Sequence, residues 1–405
     1  MPTRKLQSNH IIAPDNCTGC GLCANLCPKA SISMLWDDEG FLKPNVDATT
    51  CIDCGICVKQ CPALKEVEFI DPSLDEIVAY GAWNANIEIR ESSSSGGIFT
   101  ALSNFVFQHG GCVFGVVWEN ATTAVFKKAE NLSELAPMRG SKYTQAMPGY
   151  VYREIKQELL KNRYVLFTGT ACQVHALRCF LKKDYDKLLT FDIVCHGVPS
   201  RKILEAYVSH IQMTSGKNLD HIYFRYKDGD WLHYKVQKRY TDGSVTNIPA
   251  KNDLFMNLFI CKHMLNKACY NCPHAHFPRP GDLTLGDFWG VQNLHPEWPI
   301  ARGISSLLAN TDKGNNLLHQ LSNEGKIILN REPFRNLFQG QPRSYIRADT
   351  SVSDKRDKAL SMITAENIME MYNAYCKFIA FGFIRIKKDS VLIRIFNKLK
   401  STIKV

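Results

Sequence analysis

Two twelve-residue runs near the N-terminus, "CTGCGLCANLCP" (17–28) and "CIDCGICVKQCP" (51–62), share the spacing C-x2-C-x2-C-x3-C-P and start 34 residues apart. No other feature limits the fold as much, because eight thiols at this spacing require a metal framework before any hydrophobic core is considered. Where such a run occurs twice, three cysteines of one and the fourth of the other hold each 4Fe–4S cluster. One cluster would take Cys17, Cys20, Cys23 and Cys61, and the other Cys51, Cys54, Cys57 and Cys27. Gly19, Gly21 and Gly55 let the backbone curl so that its N–H groups face the sulfurs, and Pro28 and Pro62 end each turn. Two Zn sites or a thioredoxin-like redox pair are the competing readings. Zn sites, however, are usually written as two separated C-x2-C pairs rather than four thiols closed by Pro.

Residues 10–65 resemble a two-cluster ferredoxin, and the intervening "MLWDDEGFLKPNVD" reads as a hairpin turning at Asp37–Gly40. A head of this kind, fused to some 340 further residues, carries electrons to or from something downstream. The chain has 16 cysteines in 405 residues, which suits metal or redox work in the cytoplasm better than disulfides. The N-terminal stretch lacks an apolar signal core, and no run approaches 18 uninterrupted apolar residues. The formal net charge is +10, but residues 377–405 alone carry eight Lys/Arg against one Asp. The rest is close to neutral, which argues against a nucleic-acid partner.

From about residue 77 apolar runs alternate with helical stretches. "IVAYGAW" (77–83), "CVFGVVW" (112–118), "TAVFKKA" (123–129), "RYVLFTG" and "LLTFDIV" read as strands. Helices are predicted from Ser95–Gly97 to Gly110–Gly111, over about 149–161, and in "CQVHALRCFL" and "SRKILEAYVSHI". This βαβα order favours parallel pairing. "SSSSGG" then meets a helix N-terminus, a place for phosphate, with a plain N-cap at Ser95 as the alternative. Cys172 and Cys195 follow consecutive strands, so parallel pairing puts both at the carboxyl edge of the sheet, where α/β proteins place ligands.

With the C-x2-C pair of "KACYNCPH" (267–274), Cys172, Cys195, Cys269 and Cys272 make a four-thiolate set for a third 4Fe–4S cluster. A Zn site from the same thiols, and a nucleophilic Cys172 served by His175 or His196, remain alternatives. Cys179 lies seven residues beyond Cys172, about 10 Å along a helix, too far to share that site easily. Cys112 begins a buried strand, Cys376 lies in the tail, and Cys261 is the reserve ligand.

"SSSSGG", "GSKYTQ" (140–145), "GTACQ", "CHGVPS", "CYNC" and "GDLTLGDFWG" occur in this order. Together they resemble the coenzyme F420 hydrogenase/dehydrogenase beta-subunit family, which also includes 7-hydroxymethyl chlorophyll a reductase, over about residues 10–340. The resemblance implies FAD beside a 4Fe–4S cluster. Ser95, Gly96 and Gly97 would face the flavin phosphates or ribityl chain, Lys142 and Tyr143 would lie along the flavin, and Gly169–Thr170 would complete its loop. From turn chemistry alone, "GSKY" also reads as a surface turn. Two departures stand out. Ala171 replaces the family's Pro before the first body cysteine, and Asn266-Lys267-Ala268 replaces its Arg-Pro-Ser before Cys269.

The expected fold class is α+β, a small two-cluster ferredoxin-like domain followed by a larger α/β flavin-binding domain. The expected division is 1–70 for the ferredoxin-like domain, 71–165 for the flavin-binding part, 166–345 for the part with the third cluster, and 346–405 for a basic amphipathic tail. The function implied is an iron–sulfur flavoprotein oxidoreductase between a hydride carrier, such as F420, or a small-molecule substrate, and a one-electron carrier such as ferredoxin or a partner redox subunit. His196 and Asp287 are candidates for catalytic proton balance. Alternatives are a ferredoxin-driven reductase of an organic substrate, or a non-catalytic electron-transfer subunit, including one in polysaccharide assembly. The tail's apolar face at 391, 392, 395, 396 and 399 suits either an anionic membrane surface or packing on its own domain. The expected location is the cytoplasm, with contact at the inner membrane face through that tail.

Overall fold

The computed structural model describes residues 11, 13–65, 76–340 and 355–375. In the head, Gly21 and Gly55 occupy matching points of the two cysteine runs, both left-handed, at φ 75° and 69°. Each opens a short helix, Leu22–Leu26 or Ile56–Lys59, that carries the third cysteine of its run. A side chain at either glycine would be held in a strained region of the backbone. Between the runs, β1 (Ile32–Trp36) pairs antiparallel with β2 (Leu42–Val46), from Ile32↔Val46 to Trp36↔Leu42. The Gly40 N–H donates to the Asp37 carbonyl at 2.9 Å, and Asp37 Oδ1 accepts the Phe41 N–H at 2.8 Å. The hairpin therefore turns at Asp37–Gly40, as its sequence predicts.

The body begins with β3 (Val78–Asn84), β4 (Cys112–Asn120), β5 (Thr123–Ala129), β6 (Ala146–Met147), β7 (Val165–Thr170) and β8 (Leu188–Ile193). Later come β9 (Leu219–Tyr226), β10 (Lys235–Tyr240), β11 (Val245–Pro249), β12 (Leu283–Asp287), β13 (Ser305–Ala309) and β14 (Ile327–Glu332). Nine of these form one sheet in the order β14-β3-β13-β12-β8-β7-β4-β5-β6, while β9 to β11 form a separate antiparallel sheet. The centre, β12-β8-β7-β4, is parallel throughout. Its strands read as continuous apolar runs because both faces are covered. On one face Leu166 and Leu189 pack with Ile98 and Leu102 of the helix Ile98–Gln108. On the other, Phe114 and Phe167 pack with Val174 and Leu177 of the helix Ala171–Leu181. Each such side chain, fully buried, is worth roughly 1.5–3 kcal/mol.

The fold is thus a mixed α/β body behind a small ferredoxin-like head. The flanks depart from the parallel pairing that the βαβα order suggests. β4 and β5 are antiparallel, since the two residues between them can only close a hairpin. β3 lies between β13 and β14 and is antiparallel to both. No helix among the described residues is long and apolar enough to cross a membrane. The basic segment 377–405 lies outside the described residues.

The head is sewn to the body through its first cysteine run. Arg153 donates to the carbonyls of Asn25 and Cys27, both at 2.7 Å, and of Ala24 at 3.2 Å. These carbonyls close the helix Leu22–Leu26, where a cation is favoured. The Tyr152 hydroxyl donates to the Cys20 carbonyl at 2.7 Å, and Asn266 Nδ2 to the Cys17 carbonyl at 3.2 Å. Glu39 in the hairpin pairs with the buried Arg356 at 2.6 Å.

Candidate metal centres and cofactor cleft

The eight head cysteines lie in two neighbourhoods, with Cys61 feeling the charges of both Cys17 and Cys57. Burial pushes the Cys20 thiol up to about 12, and the neighbouring charges of Cys17 and Cys61 add to the effect. Cys23 is raised by burial too, with Cys20, Cys17 and Cys61 as its charged neighbours. Cys27, Cys51, Cys54 and Cys57 instead line one depression with Ile32 and Val46. Backbone N–H groups point at two of these sulfurs, Ser31 at Cys27 (3.3 Å) and Asp53 at Cys51 (3.4 Å). The sets differ in exposure: Cys17 and Cys23 are buried, whereas Cys54 is exposed.

In the body, Cys172 is the second residue of the helix Ala171–Leu181, whose N-terminus Thr170 and Gln173 close as a capping box. Part of the residue faces a cleft, yet burial of its thiol holds it well above the usual range. The next upward influence is the charge of Cys272, followed by those of Cys195 and Cys20. The other segments meet there because Ser200 N–H donates to the Met264 carbonyl at 3.0 Å and Asn266 N–H to the Val198 carbonyl at 2.9 Å. Val198 N–H then points at the Cys269 sulfur, and Gly197 N–H at the Cys195 sulfur, both at 3.4 Å. Three separate segments thus bring Cys172, Cys195, Cys269 and Cys272 into one neighbourhood. A thiol raised by burial is the opposite of an activated nucleophile, and the His175 ring packs on His274, 4.9 Å between centroids. Among the described residues no three His, Cys, Asp or Glu close to single-ion distances; the head cysteines are no exception. Cys112, Cys179 and Cys261 belong to hydrophobic cores.

The cleft, about 330 Å³, opens at the carboxyl ends of β7, β8 and β12. Gly169, Thr170, Cys172, Cys195, His196 and Asp287 line it, as do Ser95, Gly97, Lys142 and Tyr143. Gly96 does not; its N–H donates to Ser305 Oγ at 3.0 Å, and a Cβ there would meet the Ala82 carbonyl oxygen at 2.5 Å. Two side chains are used differently from the sequence reading. The cap of the helix Ile98–Gln108 is Gly97, left-handed at φ 82°, and the Ser95 hydroxyl donates to the Ile304 carbonyl at 3.0 Å. Lys142 turns back on its own loop and donates to the carbonyls of Pro137, Met138, Arg139 and Gly140 at 2.9–3.1 Å. Burial brings its pKa down to about 7. Tyr143 packs its ring on Phe259 and Phe224.

Sequence reasoning missed Arg139, Arg225 and Trp289, which also line the cleft. Arg139 stands beside Thr100 Oγ1 and Ser92 Oγ, each at 3.2 Å. Arg225, on β9, pairs with Asp287 at 2.8 Å. An arginine next to Phe224 in "YFRY" is what a strand with one wet face shows, so the sequence carried no signal that Arg225 is buried.

Residues 162–333 match the family described as the C-terminal region of the coenzyme F420 hydrogenase/dehydrogenase beta subunit. Residues 16–64 match the 4Fe-4S dicluster domain. Among solved structures, a chain from the xenon-derivatised F420-reducing NiFe hydrogenase complex of Methanosarcina barkeri is similar over 68% of this chain and 92% of its own. Its identity is 16% and its TM-score 0.46. No curated protein matches. The chain is an iron–sulfur electron-transfer protein related to F420 hydrogenase beta subunits, joining a 4Fe–4S dicluster domain to that family's C-terminal region.

Proposed function

We propose that the chain is an iron–sulfur flavoprotein oxidoreductase, passing electrons between a hydride carrier or small organic substrate and a one-electron carrier. The observation that carries this reading is the double placement of Cys172. It lines the cleft, and its thiol feels the charge of Cys20 in the head, whose helix Leu22–Leu26 packs on the helix Ala171–Leu181. A flavin such as FAD in the cleft would supply exchange between two-electron and one-electron steps, and clusters on the twelve cysteines would supply one-electron capacity. The 2-2-3 spacing closed by Pro in the head suits such clusters better than Zn.

The chain's own residues bind, orient and shield. The helix Ile98–Gln108 has no side-chain cap, and Gly97, Ile98 and Phe99 line the cleft. Its free N–H groups, with Arg139 beside them, suit a phosphate. Lys142 holds the loop from which Tyr143 projects. Asp287 is committed to Arg225, which leaves His196 for proton transfer. The exposed Cys54 makes the outer set the place where ferredoxin or a partner redox subunit would dock. Coenzyme F420 is the hydride carrier that the family match brings forward. The cysteine content suits the cytoplasm.

Anaerobic purification and cofactor extraction test the reading. About one flavin per chain is expected, and Cys54→Ser should keep the flavin while losing transfer to ferredoxin or viologen. A chain that binds no flavin, or a variant that transfers at the full rate, would overturn it.

A further inference from the structure

Four arginines among the described residues are buried: Arg90, Arg225, Arg279 and Arg356. Three of them spend their donors inside the protein. Arg90 grips the Gly303 and Pro299 carbonyls, Arg279 grips Asp192 and the His274 carbonyl, and Arg356 grips Glu39, Asp357 and the Leu265 carbonyl. Arg225 differs. Its Nη1 donates to Asp287 Oδ2 at 2.8 Å and the Tyr143 hydroxyl interacts with the guanidinium, but Nε and Nη2 are buried without a well-formed hydrogen bond among the described residues. Its side chain is only 5% exposed. A buried charged donor left unmatched costs more than a neutral one, so its retention calls for a reason.

The surroundings supply one. The guanidinium lies 4.0 Å from the centroid of Tyr234 and 4.9 Å from that of Trp289, and Trp289 stacks on the buried Trp231 at 4.8 Å. Guanidinium N–H groups point outward in the plane of the group, so the remaining donors can be met only there. Asp287 takes one side of that plane, and Arg225 lines the cleft. Burial opposes the charge, but Asp287, Tyr143 and Tyr234 outweigh it and hold the guanidinium above its usual range. The charge is permanent, and its orientation is fixed. Tyr143, whose hydroxyl also interacts with the guanidinium, makes no well-formed hydrogen bond to Nε or Nη2, and the Nε–Nη2 edge is the one that meets a carboxylate or phosphate through two parallel hydrogen bonds.

We propose that Arg225 is the oxyanion-binding residue of the cleft, receiving a carboxylate or phosphate of the bound molecule on its Nε–Nη2 edge. Asp287 is then a positioning residue that acts through Arg225. This rests on the cleft being the ligand site, but not on a flavin being present.

The test is calorimetric titration of the full-length, anaerobically purified chain with benzoate, phenyl phosphate and the neutral control benzamide. Wild type should bind at least one of the two anions at least about tenfold more tightly than benzamide. Arg225→Lys keeps the charge but loses the fork, and it should lose most of that preference. The double variant Arg225→Gln/Asp287→Asn removes the pair without stranding a carboxylate, and should lose all of it. Repeating the titration with FAD at saturation separates the two sources. Anion binding that persists marks a substrate group, and binding that FAD displaces marks a cofactor phosphate. Equal affinity of wild type for the anions and benzamide, or an unchanged preference in both variants, would overturn the proposal, whatever the flavin content.

Discussion

The head and the body reach a four-thiolate arrangement by opposite routes. Each head run places three cysteines within seven residues and has the fourth cysteine of the other run nearby, so the arrangement is almost entirely local. The body set comes from three segments, and a sheet must pair correctly before Cys172, Cys195, Cys269 and Cys272 can meet. A local site is written in spacing, whereas an assembled one is written in topology. The two should therefore fail differently.

The strongest way to force that difference is at the base of the body site. Arg279 and Asp192 form an ion pair with side chains 1% and 0% exposed, and Asp192 also accepts from Gly281 N–H at 3.0 Å and Thr284 Oγ1 at 3.2 Å. Arg279→Ala strands a buried carboxylate at the join of β8 and β12. We expect a loss of about 3–5 kcal/mol in urea unfolding, with loss of the body cluster before those of the head. Head and body clusters lost together, followed by electron paramagnetic resonance during unfolding, would erase the distinction.

A weaker cut lies at the seam. Arg153→Ala frees three carbonyls of the first run and should cost about 1–3 kcal/mol. Hydrogen exchange should quicken at amides 17–27 and change less at 51–61, since Arg153 bonds to carbonyls of the first run.

The smallest effect is a pH dependence. The hydrogen bond from Arg356 holds the Glu39 carboxyl below its usual range. Its contribution is complete above the unfolded value of about 4.3 and is lost as pH falls through the lower folded value. Glu39→Gln should therefore trail wild type slightly in urea midpoint at pH 7, with the gap closing toward pH 3. A gap independent of pH would mean that the pair contributes nothing through charge.

The head hairpin and the parallel β7–β8 pair were legible because each depends on residues close in sequence or on unbroken apolar runs. The antiparallel insertion of β3 between β13 and β14 was not, since those strands lie more than 200 residues further along the chain. The β9–β11 sheet also went unread, and with it Arg225. Ser95 and Lys142 were found as cleft residues, but their side chains bond inward to carbonyls whose need for donors appears only in the folded chain.

The central claim is that the body cysteines form a third cluster site beside the first head run. Iron per chain, measured after anaerobic reconstitution of wild type and Cys172→Ala, tests it most directly. The account predicts about twelve irons in wild type, three clusters of four, and about eight in the variant. About eight in both would contradict it.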